Sequence, residues 1–166
     1  ETSKMPDYLK KNYIINLIII ITIFLLDRIS KFYVIFKSET NLSSSLFTSK
    51  FLNINLIWNE GIAFGLFSFS EKTYYNILTI LIIAVTLVIF WMILKSKRLE
   101  RLAFMMIFSG SLGNIFDRLF YSAVPDFIDF HIKTFHWFIF NVADIFITIG
   151  VIILIYNELF LKNKKI

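Results

Sequence analysis

Two aspartates, Asp126 and Asp144, carry the most chemistry in this sequence of 166 residues. They stand in Val124-Pro125-Asp126-Phe127 and in Phe140-Asn141-Val142-Ala143-Asp144, at the outer ends of apolar stretches. An ionisable group at such a depth is costly to place and is a functional candidate by default. Two carboxyls delivered from facing elements to one site can divide the roles of acid and base between them. Other polar residues fall into register around them. Asp27 and Lys31 are four apart, Gly110, Asn114 and Asp117 recur at helical spacing with Arg118 next in line, and Asn141 and Asp144 are three apart.

The elements that must position these groups are membrane helices. Hydrophobic residues make up 57% of the chain, 20 residues are Phe, and the mean hydropathy is +0.72, which is a membrane composition. Four apolar runs, Tyr13 to Phe36, Tyr74 to Leu94, Leu102 to Tyr121 and Phe138 to Leu161, each reach the roughly 20 residues a helix needs to cross the hydrocarbon. The expected fold is an all-α membrane protein, a four-transmembrane-helix bundle forming one integral-membrane domain over 5–166. Glu1 to Lys4, ahead of Met5, read as a remnant outside it.

The net charge of +5 does not mark a nucleic-acid binder, because the basic residues gather at helix ends. Lys4, Lys10, Lys11, Lys95, Lys97, Arg98, Arg101, Lys162, Lys164 and Lys165 fall on one side when four helices alternate in direction. That side reads as cytoplasmic, with both termini on it and the loops around 37–73 and 121–137 facing outward. The first helix starts like a signal peptide but runs into Asp27-Arg28 without a small-residue cleavage site, and so reads as an uncleaved anchor. There are no cysteines, which excludes disulfides, thiol nucleophiles and cysteine metal sites.

Several readings compete at each polar position. Asp27 with Lys31 is a structural ion pair on the simplest view. Asp117 with Arg118 is either mutual charge satisfaction or a means of positioning a substrate. Gly110 and Gly113 suit close helix approach, and the second helix, with Asn76, Thr79 and Thr86, suits packing alone. Leu52, Ile54, Leu56 and Trp58 alternate with Asn53 and Asn55, a strand signature leading into Asn59-Glu60-Gly61-Ile62-Ala63-Phe64-Gly65. His131 and His136, near Asp126 and Asp129, match no familiar metal spacing, so no metal is expected. Ser109 and Ser111 have no histidine beside them for a triad. A proton relay through Asp27, Asp117 and Asp144 would suit a transporter or channel, but no acid in the inner half of the last three helices completes it. A structural membrane subunit, its acids paired with Arg28, Lys31 and Arg118, is the third class.

Five blocks in order decide between these classes. Asp27-Arg28-Ile29-Ser30-Lys31, Asn59 to Gly65, Gly110-Ser111-Leu112-Gly113-Asn114-Ile115-Phe116-Asp117-Arg118, Val124-Pro125-Asp126-Phe127-Ile128-Asp129 and Phe140 to Asp144 resemble the lipoprotein signal peptidases (signal peptidase II) of bacteria. The resemblance covers nearly the whole chain. It implies an intramembrane aspartyl endopeptidase of the bacterial inner membrane, without cofactor, that removes signal peptides from prolipoproteins by cutting before the diacylglyceryl-modified cysteine. It implies Asp126 and Asp144 as the catalytic pair and Asn59, Gly61, Asn114, Arg118 and Asn141 as substrate-binding residues. Asp27, Lys31 and Asp117 become architectural supports. A small extracytoplasmic β-cradle with a surface helix or loop, contact with membrane lipids, inhibition by globomycin-type lipopeptides and a monomeric state complete the expectation. The chain departs from the family's usual pattern at Arg28 (Gln), Ser30 (Thr), Ser109 and Ser111 (Gly or Ala), Pro125 (Val) and Ile145 (Ser).

Overall fold

The computed structural model describes residues 7–40, 45–60 and 72–162. Gly61 and the rest of the Ile62 to Gly65 segment lie outside the described residues. Four long helices, α1 (Asp7–Thr40), α2 (Lys72–Lys95), α3 (Arg98–Tyr121) and α4 (Val142–Tyr156), are joined by a small sheet of strands β1 (Phe47–Thr48), β2 (Leu52–Asn59), β3 (Val124–Ile132) and β4 (Phe135–Phe140). A π-helical segment, Asn157–Lys162, continues α4.

Three of the helices are long and apolar enough to cross a membrane, over Tyr13–Thr40, Tyr75–Lys95 and Val142–Leu161. Their apolar side chains face outward, Phe32 being 71% and Ile80 66% exposed, as a lipid-facing surface requires. The third helix differs from the fourfold expectation. It spans 24 residues, but Arg98, Glu100, Arg101, Asp117 and Arg118 hold its apolarity below that of the other three. It is instead the helix with the most buried face, contacting α1, α2 and α4.

Small residues bring α3 and α4 together. A Cβ on Gly110 would lie 2.6 Å from the Ala143 carbonyl oxygen, and one on Gly150 would lie 2.7 Å from that of Ala103. Both contacts are shorter than any side chain allows, so the two backbones approach this closely only at glycine. Gly113 has a different duty: its missing Cβ leaves room for the Asp27 carboxylate, 2.5 Å from where that atom would be.

The sheet is antiparallel throughout, in the order β1-β2-β3-β4. β2 follows the alternation read from Leu52 to Trp58. The segment expected as an outer loop over 121–137 is largely the β3–β4 hairpin, and Phe138 to Phe140, expected to open the last helix, belong to β4. Their aromatic and β-branched run is apolar in either state, so periodicity cannot separate them. The helix starts one residue after Asn141, its N-cap. Pro125 is tolerated in β3 because pairing with β4 begins only at Ile128, leaving one edge at Pro125 without ladder bonds to make. Among the described residues no separate surface helix stands in the outer loop.

Candidate active site

Asp126 lies on β3, paired with Ile57 of β2 just after a register shift, and is 4% exposed. It therefore comes from a strand rather than from a helix end. Its two oxygens each accept one amide hydrogen bond, from Asn59 Nδ2 at 2.9 Å and from Asn141 Nδ2 at 2.6 Å. Burial pushes its carboxyl up to about 6 from the ordinary 3.8, against the pull of those two donors, and the Asp144 charge adds to the rise.

Asp144 sits on the first turn of α4 in a capping box. Its backbone N–H donates to Asn141 Oδ1, and its Oδ2 accepts from the Asn141 backbone N–H, both at 3.1 Å. Asn141 is thus committed at both ends of its side chain. Because its oxygen caps the helix, its amide must face Asp126, and one buried residue fixes the carboxyls of both aspartates.

Asn114 on α3 makes the corresponding link on the other side. Its Oδ1 accepts from Lys31 Nζ at 2.9 Å, and its Nδ2 donates to Asp144 Oδ1 at 2.8 Å. An ammonium has only donors, so the amide orientation follows. Behind Asn114, each of Lys31 and Arg28 bridges Asp27 and Asp117. Arg28 reaches each acid at 2.5 Å, while Lys31 reaches Asp27 at 3.0 Å and Asp117 at 2.6 Å. Two acids and two bases make a neutral buried quartet. Asp27 also accepts the Ala143 backbone N–H at 3.0 Å, so it helps to satisfy the N-terminus of α4.

The quartet decides between the readings left open for Asp117 and Arg118. Asp117 pairs with Arg28 and Lys31, while Arg118, one residue on and about a quarter-turn away, leaves it for a different neighbourhood. The guanidinium of Arg118 lies 5.3 Å above the Tyr75 ring, and its Nε and Nη1 are buried without a partner among the described residues. The second helix consequently does more than pack. Tyr75 stacks on Arg118 and donates its hydroxyl to the Arg118 carbonyl at 3.3 Å, while Thr79 and Thr86 turn back on their own helix. Arg28, not singled out as a site residue, is the hub of the quartet; its place directly after Asp27 was the available signal.

A cavity of about 260 Å³ opens between these groups. Asn59, Asn114, Arg118, Asp126, Asn141 and Asp144 line it together with Ile82, Ser111, Val124 and Ile147. Six of the seven residues expected for catalysis and substrate binding thus meet at one cavity, the seventh being Gly61. Asp27, Lys31 and Asp117, expected as supports, do not line it. A cavity with two carboxyls, directed amide donors and a guanidinium with two nitrogens unpartnered among the described residues suits acid/base chemistry on a carbonyl compound.

Solved structures with this architecture are membrane enzymes. One described as a bacterial membrane enzyme, determined in meso at 2.3 Å, superposes with a TM-score of 0.73 at 30% identity, covering 91% of each chain. Another so described, at 1.9 Å, gives 0.70 at 31% identity over 87% of this chain and 92% of its own. The family model described as Signal peptidase (SPase) II matches residues 19–160. A lipoprotein signal peptidase of Pelagibacter ubique is 51% identical over 155 residues, 93% of either chain. One of Wigglesworthia glossinidia brevipalpis is 42% identical over 152 residues, 88% of this chain and 95% of its own. The chain belongs to the signal peptidase II family and is a membrane peptidase.

Proposed function

We propose that this peptidase is an aspartyl endopeptidase that removes the signal peptide of bacterial prolipoproteins, hydrolysing the bond before the diacylglyceryl-modified cysteine. One observation carries the mechanism: Asp126 and Asp144 share a cavity, are tied together by Asn141, and among the described residues neither is in an ion pair. Close carboxyls held by neutral amides share one proton and titrate as a pair. The ionised member takes a proton from a water, which attacks the scissile carbonyl. The protonated member donates a hydrogen bond to the carbonyl oxygen, and a proton then passes to the leaving amine.

Arg118, held by Tyr75 with two nitrogens free to donate, is suited to the glyceryl ester or a peptide carbonyl at the cavity mouth. Asn59 and Gly61 are proposed to meet the extended peptide, and Asn114 and Asn141 to orient the dyad against it. Globomycin-type lipopeptides would compete by setting a hydroxyl between the two aspartates. The cradle faces outward in this reading and both termini face the cytoplasm of an inner-membrane protein. In support, Arg98 and Arg101 at the start of α3 share a cavity wall with Ile15 and Asn16 near the start of α1, a basic end of the bundle. With α3 as the fourth crossing, 5–166 form one peptidase domain acting as a monomer among membrane lipids.

The test is to incubate purified enzyme in vesicles with matched prolipoprotein precursors, with and without the diacylglyceryl group, and to follow product mass. The lipidated precursor should lose its signal peptide far faster, because its acyl chains hold the scissile carbonyl at the height of the dyad. Equal rates would show that the peptide alone is read.

A further inference from the structure

We propose that Asp129, His131 and His136 form a binding site for one divalent transition-metal ion of the zinc class, clamping β3 to β4 outside the dyad cavity. The sequence spacing concealed it because two ligands come from one strand and the third from its partner. Asp129 and His131 are two apart on β3, and His136 on β4 is directly paired with His131. One ligand atom from each lies within 4.8 Å of the other two. None of the three lines the dyad cavity, so the proposal is independent of the peptidase mechanism.

Three features separate this cluster from a solvated surface group. Asp129 is 3% exposed, yet its neighbours are the His136 Nδ1, 2.9 and 2.8 Å from its two oxygens, and a distant amide, Asn53 Nδ2, at 3.4 Å. Among the described residues no lysine or arginine pairs with it. The Nδ1 of His131 is buried and has no hydrogen-bond partner there, an arrangement that leaves a lone pair or a proton unsatisfied. The two imidazoles, on directly paired residues, stack with centroids 5.1 Å apart, so both rings lie on one side of the hairpin.

Two imidazoles and a carboxylate make a mixed N/O donor set, which suits zinc and its neighbours rather than calcium or magnesium. Ligand atoms about 2.1 Å from a tetrahedral ion lie roughly 3.4 Å from one another. The cluster must therefore close by up to about 1.4 Å at its widest from the 4.8 Å limit, while the Asp129 to His136 contact opens slightly. His136 can make that movement, being half-exposed and next to the two-residue turn at Lys133 and Thr134. Two strands joined by an ion lose less of their pairing to fraying, and β3 carries Asp126 three residues from Asp129.

The experiment uses the full chain, purified in detergent with a tag free of histidine, stripped with chelator and titrated with Zn²⁺ by calorimetry. It should take up one ion per chain and show a higher Tm with Zn²⁺ than without. His136→Gln and His131→Phe should each weaken binding by at least about tenfold, whereas Asp126→Asn should bind as the parent does. Failure of the parent to bind, or equal binding by the His131→Phe/His136→Gln double variant, overturns the site. Should the variants not fold, Co²⁺ bound to the parent decides: a spectrum with nitrogen ligation supports the site and one with oxygen ligands alone overturns it.

Discussion

Four buried or half-buried carboxyls are joined by one run of hydrogen bonds and ion pairs through Arg28, Lys31, Asn114 and Asn141, and their surroundings divide them into two kinds. Asp27 and Asp117 are each held by two cations, Arg28 and Lys31, in a neutral set. Asp126 and Asp144 are held by Asn59, Asn114, Asn141 and backbone N–H, all uncharged. Cations fix a carboxylate in its ionised form. Neutral amides aim it while leaving its proton to be lost and regained. On the proposed mechanism the same residue type serves as scaffold in one place and as reagent in the other, and Asn114, bonded to Lys31 and Asp144, marks the boundary between them.

The largest effect should come from the uncharged side of that boundary. Asp126→Asn and Asp144→Asn keep shape but cannot exchange the proton, so each should lower the cleavage rate by about 10³-fold or more in a protein that still melts cooperatively. Full turnover by either purified variant would remove it from the dyad.

On the charged side the loss should be of stability. Asp27→Asn or Asp117→Asn leaves two cations to share one acid and one positive charge uncompensated, at a cost of about 3–5 kcal/mol, visible as a lower Tm and poor yield. The rate per folded molecule should change far less than in the dyad variants. A fully stable Asp27→Asn protein with a large rate loss would move Asp27 into the reagent class.

A third test uses pH. The Asp126 value of about 6 lies above the ordinary 3.8, so the native state binds the extra proton between the two. Stability from this group is full below the lower value and is lost as pH rises through the upper one. Asp126→Asn never ionises and escapes that loss. Its stability relative to the parent should rise with pH across this window by up to roughly 3 kcal/mol, as followed by thermal melts. A difference independent of pH would mean that Asp126 keeps an ordinary carboxyl.

The smallest effect concerns Arg118. Arg118→Lys keeps the charge but loses the planar stack on Tyr75, worth about 1 kcal/mol. It should raise KM for the lipidated substrate more than it lowers kcat. The opposite split would place Arg118 at the reacting carbonyl.

Much of this arrangement was legible in the residues, and the gaps have physical causes. Helical spacing brought Asp27 to Lys31 and Asn141 to Asp144, because local periodicity fixes which residues share a face. The sequence leaves the partner of Asp117 open, since adjacent residues on a helix point apart and its partners lie more than 80 residues earlier. The β3–β4 hairpin was hidden by apolar runs that suit a helix equally well. Tyr75 gave no sign, because nothing local shows that a ring at the start of α2 will meet a guanidinium at the end of α3. The pairing of His131 with His136 depends on a hairpin register that their separation in sequence does not reveal.

Infrared spectroscopy of protonated carboxyl groups in the purified protein tests the division most directly. One buried carboxylic acid should titrate near 6. Its band should vanish in Asp126→Asn, move to lower pH in Asp144→Asn as the neighbouring charge is removed, and persist in Asp27→Asn and Asp117→Asn. A band that survives Asp126→Asn unchanged and disappears with Asp27 or Asp117 would contradict the division, because the exchangeable proton would then belong to the quartet.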